Sequence, residues 1–230
     1  NSVGASYSYS TESDYWSHNA GLRLKLSLRR DTITLVTGLD YGHNTVGRRM
    51  GPDRYLVPPL NLSAACRNDL STLSFAEREG CYGRLHLFHL AFLYTQILSP
   101  TLLLSASLDL TIGAGYWNNP YRPVLVQGEI MRVENLPVDR TRAIAALVLR
   151  KLVPIDNPIT PFVTLRPALR VYTDSWGVTS LNPEGGVQVP IGPVELRALY
   201  GFYGQFAASF YRSEGGGRSD FFPDTPFYGL

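Results

Sequence analysis

The stretch LLLSASLDLTIGAGY, Leu102–Tyr116, decides how the rest of the chain is read. Its even positions are Leu102, Leu104, Ala106, Leu108, Leu110, Ile112, Ala114 and Tyr116; its odd positions after Leu103 are Ser105, Ser107, Asp109, Thr111, Gly113 and Gly115. Side chains alternate across a strand, so this period of two gives one continuously apolar face and one that is small and polar. About fifteen residues exceed the five or six usual in a globular strand, whereas a tilted strand needs only about nine to eleven to cross a bilayer. The pattern predicts an all-β fold, an antiparallel up-and-down transmembrane β-barrel.

The same alternation recurs on both sides. Val3, Ala5, Tyr7 and Tyr9 begin a first strand ending near Thr11, and a polar connection covers Asp14 to Ser17. Leu22, Leu24, Leu26 and Leu28 interleave with Arg23, Lys25, Ser27 and Arg29; Arg30 and Asp31 make a tight turn into a strand through Ile33, Leu35, Thr37, Leu39 and Tyr41. Periodicity then stops, and residues 43–81 read as a long external loop. Tyr82 to Ile97 is a strand of ambiguous register, because Phe88, Leu90 and Phe92 compete with Leu85, Leu87, Ala91 and Leu93. After the Ser99-Pro100 turn and the opening strand, residues 117–139 form a second long external loop. Four further strands follow at Thr141 to Leu152, Phe162 to Thr173, Thr179 to Val189 and Val194 to Phe206.

About nine strands are visible, and single-chain bacterial barrels usually have an even number. The expectation is therefore one β-barrel domain over residues 1–230, incomplete at one or both ends, with 10–14 strands when complete. An open edge in lipid would leave backbone groups unpaired at several kcal/mol each. Residues before Asn1 or after Leu230, or another chain, are expected to close it. No signal peptide is visible, so the numbered chain reads as a mature or partial product.

Connections near residues 30, 99, 157 and 191 are short, and those near 14, 60, 128 and after 207 are mostly longer, as in outer-membrane barrels with short periplasmic turns. Tyr15, Trp16, Tyr41, Tyr82, Tyr116, Trp117, Tyr172, Trp176 and Phe206 fall at the long-loop ends, where they are expected to form an interfacial aromatic girdle. A soluble barrel or sandwich explains the alternation equally well, since period two does not say which face is wet. It explains neither the one-sided aromatics nor the strand lengths.

Composition agrees with these readings. The longest apolar run, Ala143 to Leu149, is seven residues between Arg142 and Arg150, far below the roughly eighteen of a transmembrane helix. A net charge of +2 gives no support to nucleic-acid binding. Cys66 and Cys81 share one polar segment; their expected disulfide closes a loop of about fifteen residues and implies an oxidising compartment. With no clustered His or Cys around them, no metal site is expected there.

Nothing in the chain points to an enzyme or a cofactor. There is no Gly-x-Ser-x-Gly elbow and no His-Glu-x-x-His motif. His86 and His89 lie three apart on one strand and so point to opposite faces. The inward register instead collects Arg23, Lys25, Arg150, Arg166, Arg170 and Arg197 with Asp40, Asp109, Glu184 and Glu195 as candidate lumen-lining residues. Such charges either pair across the lumen or line water with a slight anion preference.

The stretches WNNPYRPVL (Trp117 to Leu125), ENLPVDRTRA (Glu134 to Ala143) and YTDSWGV (Tyr172 to Val178) resemble a family of bacterial outer-membrane barrels known chiefly as a domain of unknown function. The resemblance runs from Leu98 to the region of Ser209 to Arg212, about half the chain; the first hundred residues match only in style. It implies a fold and a location in the bacterial outer membrane, but no activity. The expected function is a passive pore or transport component in outer-membrane lipid. The alternative is a non-conducting anchor or scaffold subunit that meets other envelope proteins through its loops or periplasmic turns.

Overall fold

The computed structural model describes residues 1–12, 15–46, 83–117, 123–126, 130–133 and 136–211. Twelve strands follow in order: β1 (Ser2–Thr11), β2 (Tyr15–Leu28), β3 (Ile33–Val46), β4 (Gly83–Ser99), β5 (Leu102–Gly115), β6 (Pro123–Val126), β7 (Ile130–Val133), β8 (Asp139–Pro154), β9 (Phe162–Asp174), β10 (Thr179–Ile191), β11 (Val194–Gly201) and β12 (Gly204–Gln205). Ten of them make one antiparallel sheet in the order β1-β2-β3-β4-β5-β8-β9-β10-β11, with β12 also on β10. The long strands therefore lie beside one another in sequence order, the expected up-and-down arrangement, with the short hairpin β6–β7 forming a separate sheet between β5 and β8 in the chain. Among the described residues β1 pairs only with β2 and β11 only with β10, so the sheet is open; the sequence reading likewise assigns closure to residues before Asn1 or after Leu230, or to another chain.

Three elements differ from the sequence reading. Asp14 to Ser17 is not all connection, because β2 already begins at Tyr15. The second long loop contains a hairpin of its own, in which Pro123 pairs with Val133 and Val126 with Ile130. The strand expected over Val194 to Phe206 is interrupted at Phe202 and Tyr203. Its register does not slip, since Glu184↔Gly201 and Leu181↔Gly204 keep one alignment; the residue opposite Phe202 is Pro183, which has no N–H to donate. The Phe202 N–H still donates to the Pro183 carbonyl at 3.0 Å, and the Asn182 side-chain amide donates to the Phe202 carbonyl at 2.8 Å in place of the missing backbone N–H.

Residues directly opposite in an antiparallel ladder share a face, so the registers sort the sheet into two sides. One side carries Leu22, Leu39, Leu90, Leu108, Leu147, Leu169, Leu181 and Leu196, all exposed. Phe88, Leu90 and Phe92 belong to it, which resolves the ambiguous register of β4. Along the strands its Lys, Arg, Asp and Glu residues stand near the ends: Arg84 and Asp139 toward the long loops, Lys151 toward the short turns. The other side is polar. The few fully buried apolar side chains, Leu136, Tyr172, Trp176, Val178, Ala208 and Phe210, form a small cluster on that polar side at its long-loop end. The sheet thus has no central core among the described residues, and its large apolar face is left uncovered.

Candidate functional site

The polar face is built by the second phase of the alternation that makes the apolar one. Asp40 pairs in register with His89, and His89 with Thr111; Arg23 falls beside Gly38, and Arg170 beside Asn182. All ten expected lumen residues, Arg23, Lys25, Asp40, Asp109, Arg150, Arg166, Arg170, Glu184, Glu195 and Arg197, lie on this one face by register.

At mid-sheet His89 stands between two carboxylates, its Nδ1 3.5 Å from Asp40 and its Nε2 3.4 Å from Asp109. Each ring nitrogen thus faces one carboxylate, which sets a single basic side chain between two acids. Sequence alone does not bring His89 to these acids, because Asp40 and Asp109 meet it only through two strand registers. Farther toward the short turns, Arg166 is ion-paired with Glu184 and Arg197 with Glu195, which also accepts from Gln188. Every one of the four acids therefore has a basic partner. Among the described residues Arg23, Lys25, Arg150 and Arg170 make no ion pair. The pairs Val148↔Ala168 and Lys151↔Leu165 place Arg150 across from Arg166, and these two with Arg197, Thr164 and Gln188 line a groove of about 700 Å³. Three guanidinium groups shared with only two carboxylates leave that groove positive, an environment suited to an anion.

The long-loop end of the face is closed over by a buried network. Arg140 Nε and Nη2 donate to Asp174 Oδ2 at 2.9 and 2.5 Å, and the Tyr172 hydroxyl donates to the same oxygen at 2.7 Å. The other carboxylate oxygen accepts the backbone N–H groups of Trp176 and Val178 at 3.0 and 2.9 Å, which fixes the β9–β10 turn. The Arg140 guanidinium lies 4.1 Å from the centre of the Trp176 ring, a cation–π contact, and Phe210 packs edge-on against that ring. Trp176 Nε1 donates to the Asp139 carbonyl, and Trp117 Nε1 to that of Val138. Trp117 lies over Gly113 so closely that a Cβ there would come within 2.3 Å of its ring. Described residues of all three stretches that carry the family resemblance, among them Trp117, Leu136, Arg140, Tyr172 and Trp176, therefore meet in one cluster.

That cluster revises the aromatic girdle. Tyr172 and Trp176, expected at a lipid interface, are 1% and 3% exposed on the polar side, and Trp117 covers the same face. Tyr15 shares a bond with buried Asn44 and also faces the polar side. Trp16 and Tyr41 lie on the apolar face, Tyr116 packs against Gly83, and Phe206 is exposed. Position along a strand fixes its end, but only parity fixes the face, and Tyr172 shares parity with Arg170 and Asp174. Tyr82, Cys66 and Cys81 with the expected disulfide, and most of the 43–81 loop lie outside the described residues.

Comparison with curated proteins and with solved structures gives no match. A family model described as a protein of unknown function, DUF3570, matches residues 1–215, including the first hundred residues that lie outside the resembling motifs. By that match across most of its length, the chain belongs to the DUF3570 family.

Proposed function

We propose that this chain is a bacterial outer-membrane β-barrel protein whose apolar face meets lipid and whose polar face lines a passage, so that it acts as a passive pore or transport component. One observation carries the reading: the same strands hold exposed Leu, Val and Phe on one side and ten charged candidates on the other, with charge on the apolar side confined to strand ends. A soluble sheet of this size would cover its apolar face, since exposed patches on soluble monomers rarely exceed a few hundred Å². The four unpaired bases, Arg23, Lys25, Arg150 and Arg170, against no unpaired acid on the register favour anions in transit.

The buried Arg140–Asp174 network across one end favours the second reading, a barrel plugged at its mouth that serves as an anchor or scaffold in the envelope. Planar-bilayer recording separates the two. Purified protein with discrete conductance steps and anion selectivity supports the pore, and Arg166→Glu with Arg170→Glu is expected to shift the reversal potential toward cations. Absence of steps together with stable co-purifying envelope proteins rejects the pore in favour of the anchor, and unchanged selectivity in the double variant removes these arginines from the lumen.

A further inference from the structure

Three of the four histidines of the chain stand in one cross-strand row. His18 pairs in register with His43, and His43 with His86, so β2, β3 and β4 each contribute one imidazole to the apolar face near its long-loop end. Tyr9 extends the row beyond His18. Cβ atoms of directly opposed residues are about 4.5–5.5 Å apart, which brings neighbouring rings within reach of one another.

The His43 and His86 rings have centroids 4.7 Å apart, with Nδ1 to Nδ1 at 3.4 Å. Two imidazole nitrogens bound to one zinc-sized ion at about 2.0–2.1 Å, subtending a tetrahedral angle, lie roughly 3.3 Å apart. The pair therefore already has the bite of a chelate. As a hydrogen bond the same contact is poor: 3.4 Å is long, and Nδ1 of His86 also faces the Tyr41 hydroxyl at 2.8 Å. The Tyr41 hydroxyl meets His86, and the Tyr7 hydroxyl meets His18, at Nδ1, both at 2.8 Å; these bonds orient the rings in the metal-free chain, and the Tyr41 hydroxyl must turn away when His86 Nδ1 takes an ion.

We infer that His43 and His86 form a chelating site for a divalent transition-metal ion at the long-loop rim of the apolar face, with His18 next in the row. Two imidazoles select copper, nickel or zinc over the hard ions magnesium and calcium, which take oxygen ligands. Among the described residues no three His, Cys, Asp or Glu side chains already converge on one point, so the two-nitrogen chelate leaves positions for water or for a ligand arriving with the metal. Both rings are only partly buried, which leaves a route for the ion. The inference is independent of whether the barrel conducts.

The test is titration of the full chain, free of any polyhistidine tag and held in detergent micelles, with copper(II) chloride and nickel(II) chloride, alongside electron paramagnetic resonance at substoichiometric copper. The expected result is one site per chain, a copper spectrum showing at least two imidazole nitrogens, and an affinity that falls tenfold or more in His43→Ala and in His86→Ala. His89→Ala, on the opposite face, is expected to bind as the parent does. A parent spectrum with fewer than two imidazole nitrogens overturns the site without recourse to any variant. Binding that survives both substitutions overturns it equally.

Discussion

At the scale of single residues, Asp174 does the most structural work. Its side chain is fully buried, yet each oxygen is satisfied: one by Arg140 and Tyr172, the other by two backbone N–H groups of the turn. Removing one partner of a buried pair leaves an uncompensated charge, which costs about 3–5 kcal/mol. Arg140→Ala is therefore expected to lower unfolding stability by that amount in denaturant titrations of the refolded protein. Arg166→Ala, whose partly exposed pair with Glu184 is screened by solvent, should cost no more than about 1 kcal/mol. Equal effects of the two would show that Arg140 is not buried as described. The composition of this cluster was legible in the sequence, since its motifs stand out; its location was not. Nearness to a loop groups Tyr172 and Trp176 with interfacial aromatics, whereas the even parity of Tyr172 with Arg170 and Asp174 turns it to the polar side, and the β9–β10 turn brings Trp176 into the same cluster. The place of His89 between two acids is hidden for a related reason, because a strand register spanning some fifty residues between Asp40 and His89 has no local signature.

At the scale of elements, the strands were legible because period two is a local property, and the tight turn at Arg30-Asp31 was found where expected. Arg29, Arg30 and Asp31 all have positive φ, at 50°, 55° and 65°. Each L-residue held there costs about 1–2 kcal/mol relative to a right-handed conformation, a penalty glycine avoids. Arg30→Gly should stabilise the protein by about 1 kcal/mol, net of the entropy glycine adds to the unfolded chain, as read by thermal unfolding. A fall in stability would mean that the arginine side chain makes a contact worth more than the backbone strain. The break at Phe202 and Tyr203 was less legible, because its cause lies across the ladder at Pro183 and not within the segment that breaks. The hairpin of β6 and β7 was hidden for the opposite reason: two strands of four residues are too short for alternation to stand out. Within β5, neighbouring positions are expected to respond differently to charge. On the proposed membrane reading Leu108→Arg, on the apolar face near mid-strand, should cost about 2–4 kcal/mol in folding into lipid vesicles. Ser107→Arg, one residue away on the polar face, should cost far less. Equal costs would contradict the division of faces.

At the scale of the whole molecule, the sheet inverts the usual arrangement of a soluble protein: polar groups gather and pair on one side, and large apolar side chains such as Val3, 78% exposed, cover the other. In water an uncovered apolar face of this breadth would drive association, whereas in a bilayer the same face is solvated by lipid tails. Antiparallel pairing of the long strands in sequence order and alternation along them are the features that the sequence carried in full. The odd strand count leads to the expectation of an open edge within residues 1–230, and β1 and β11 are the two edges of the described sheet. The proposed division of the sheet between lipid and water is tested most directly by nitroxide labels placed one at a time from Leu104 to Gly113 in protein reconstituted into bilayers. The prediction is a period of two: labels at even positions relax with oxygen dissolved in the lipid, and those at odd positions with a water-soluble paramagnetic reagent. Accessibility to the aqueous reagent at both parities, or at the even positions alone, would contradict it.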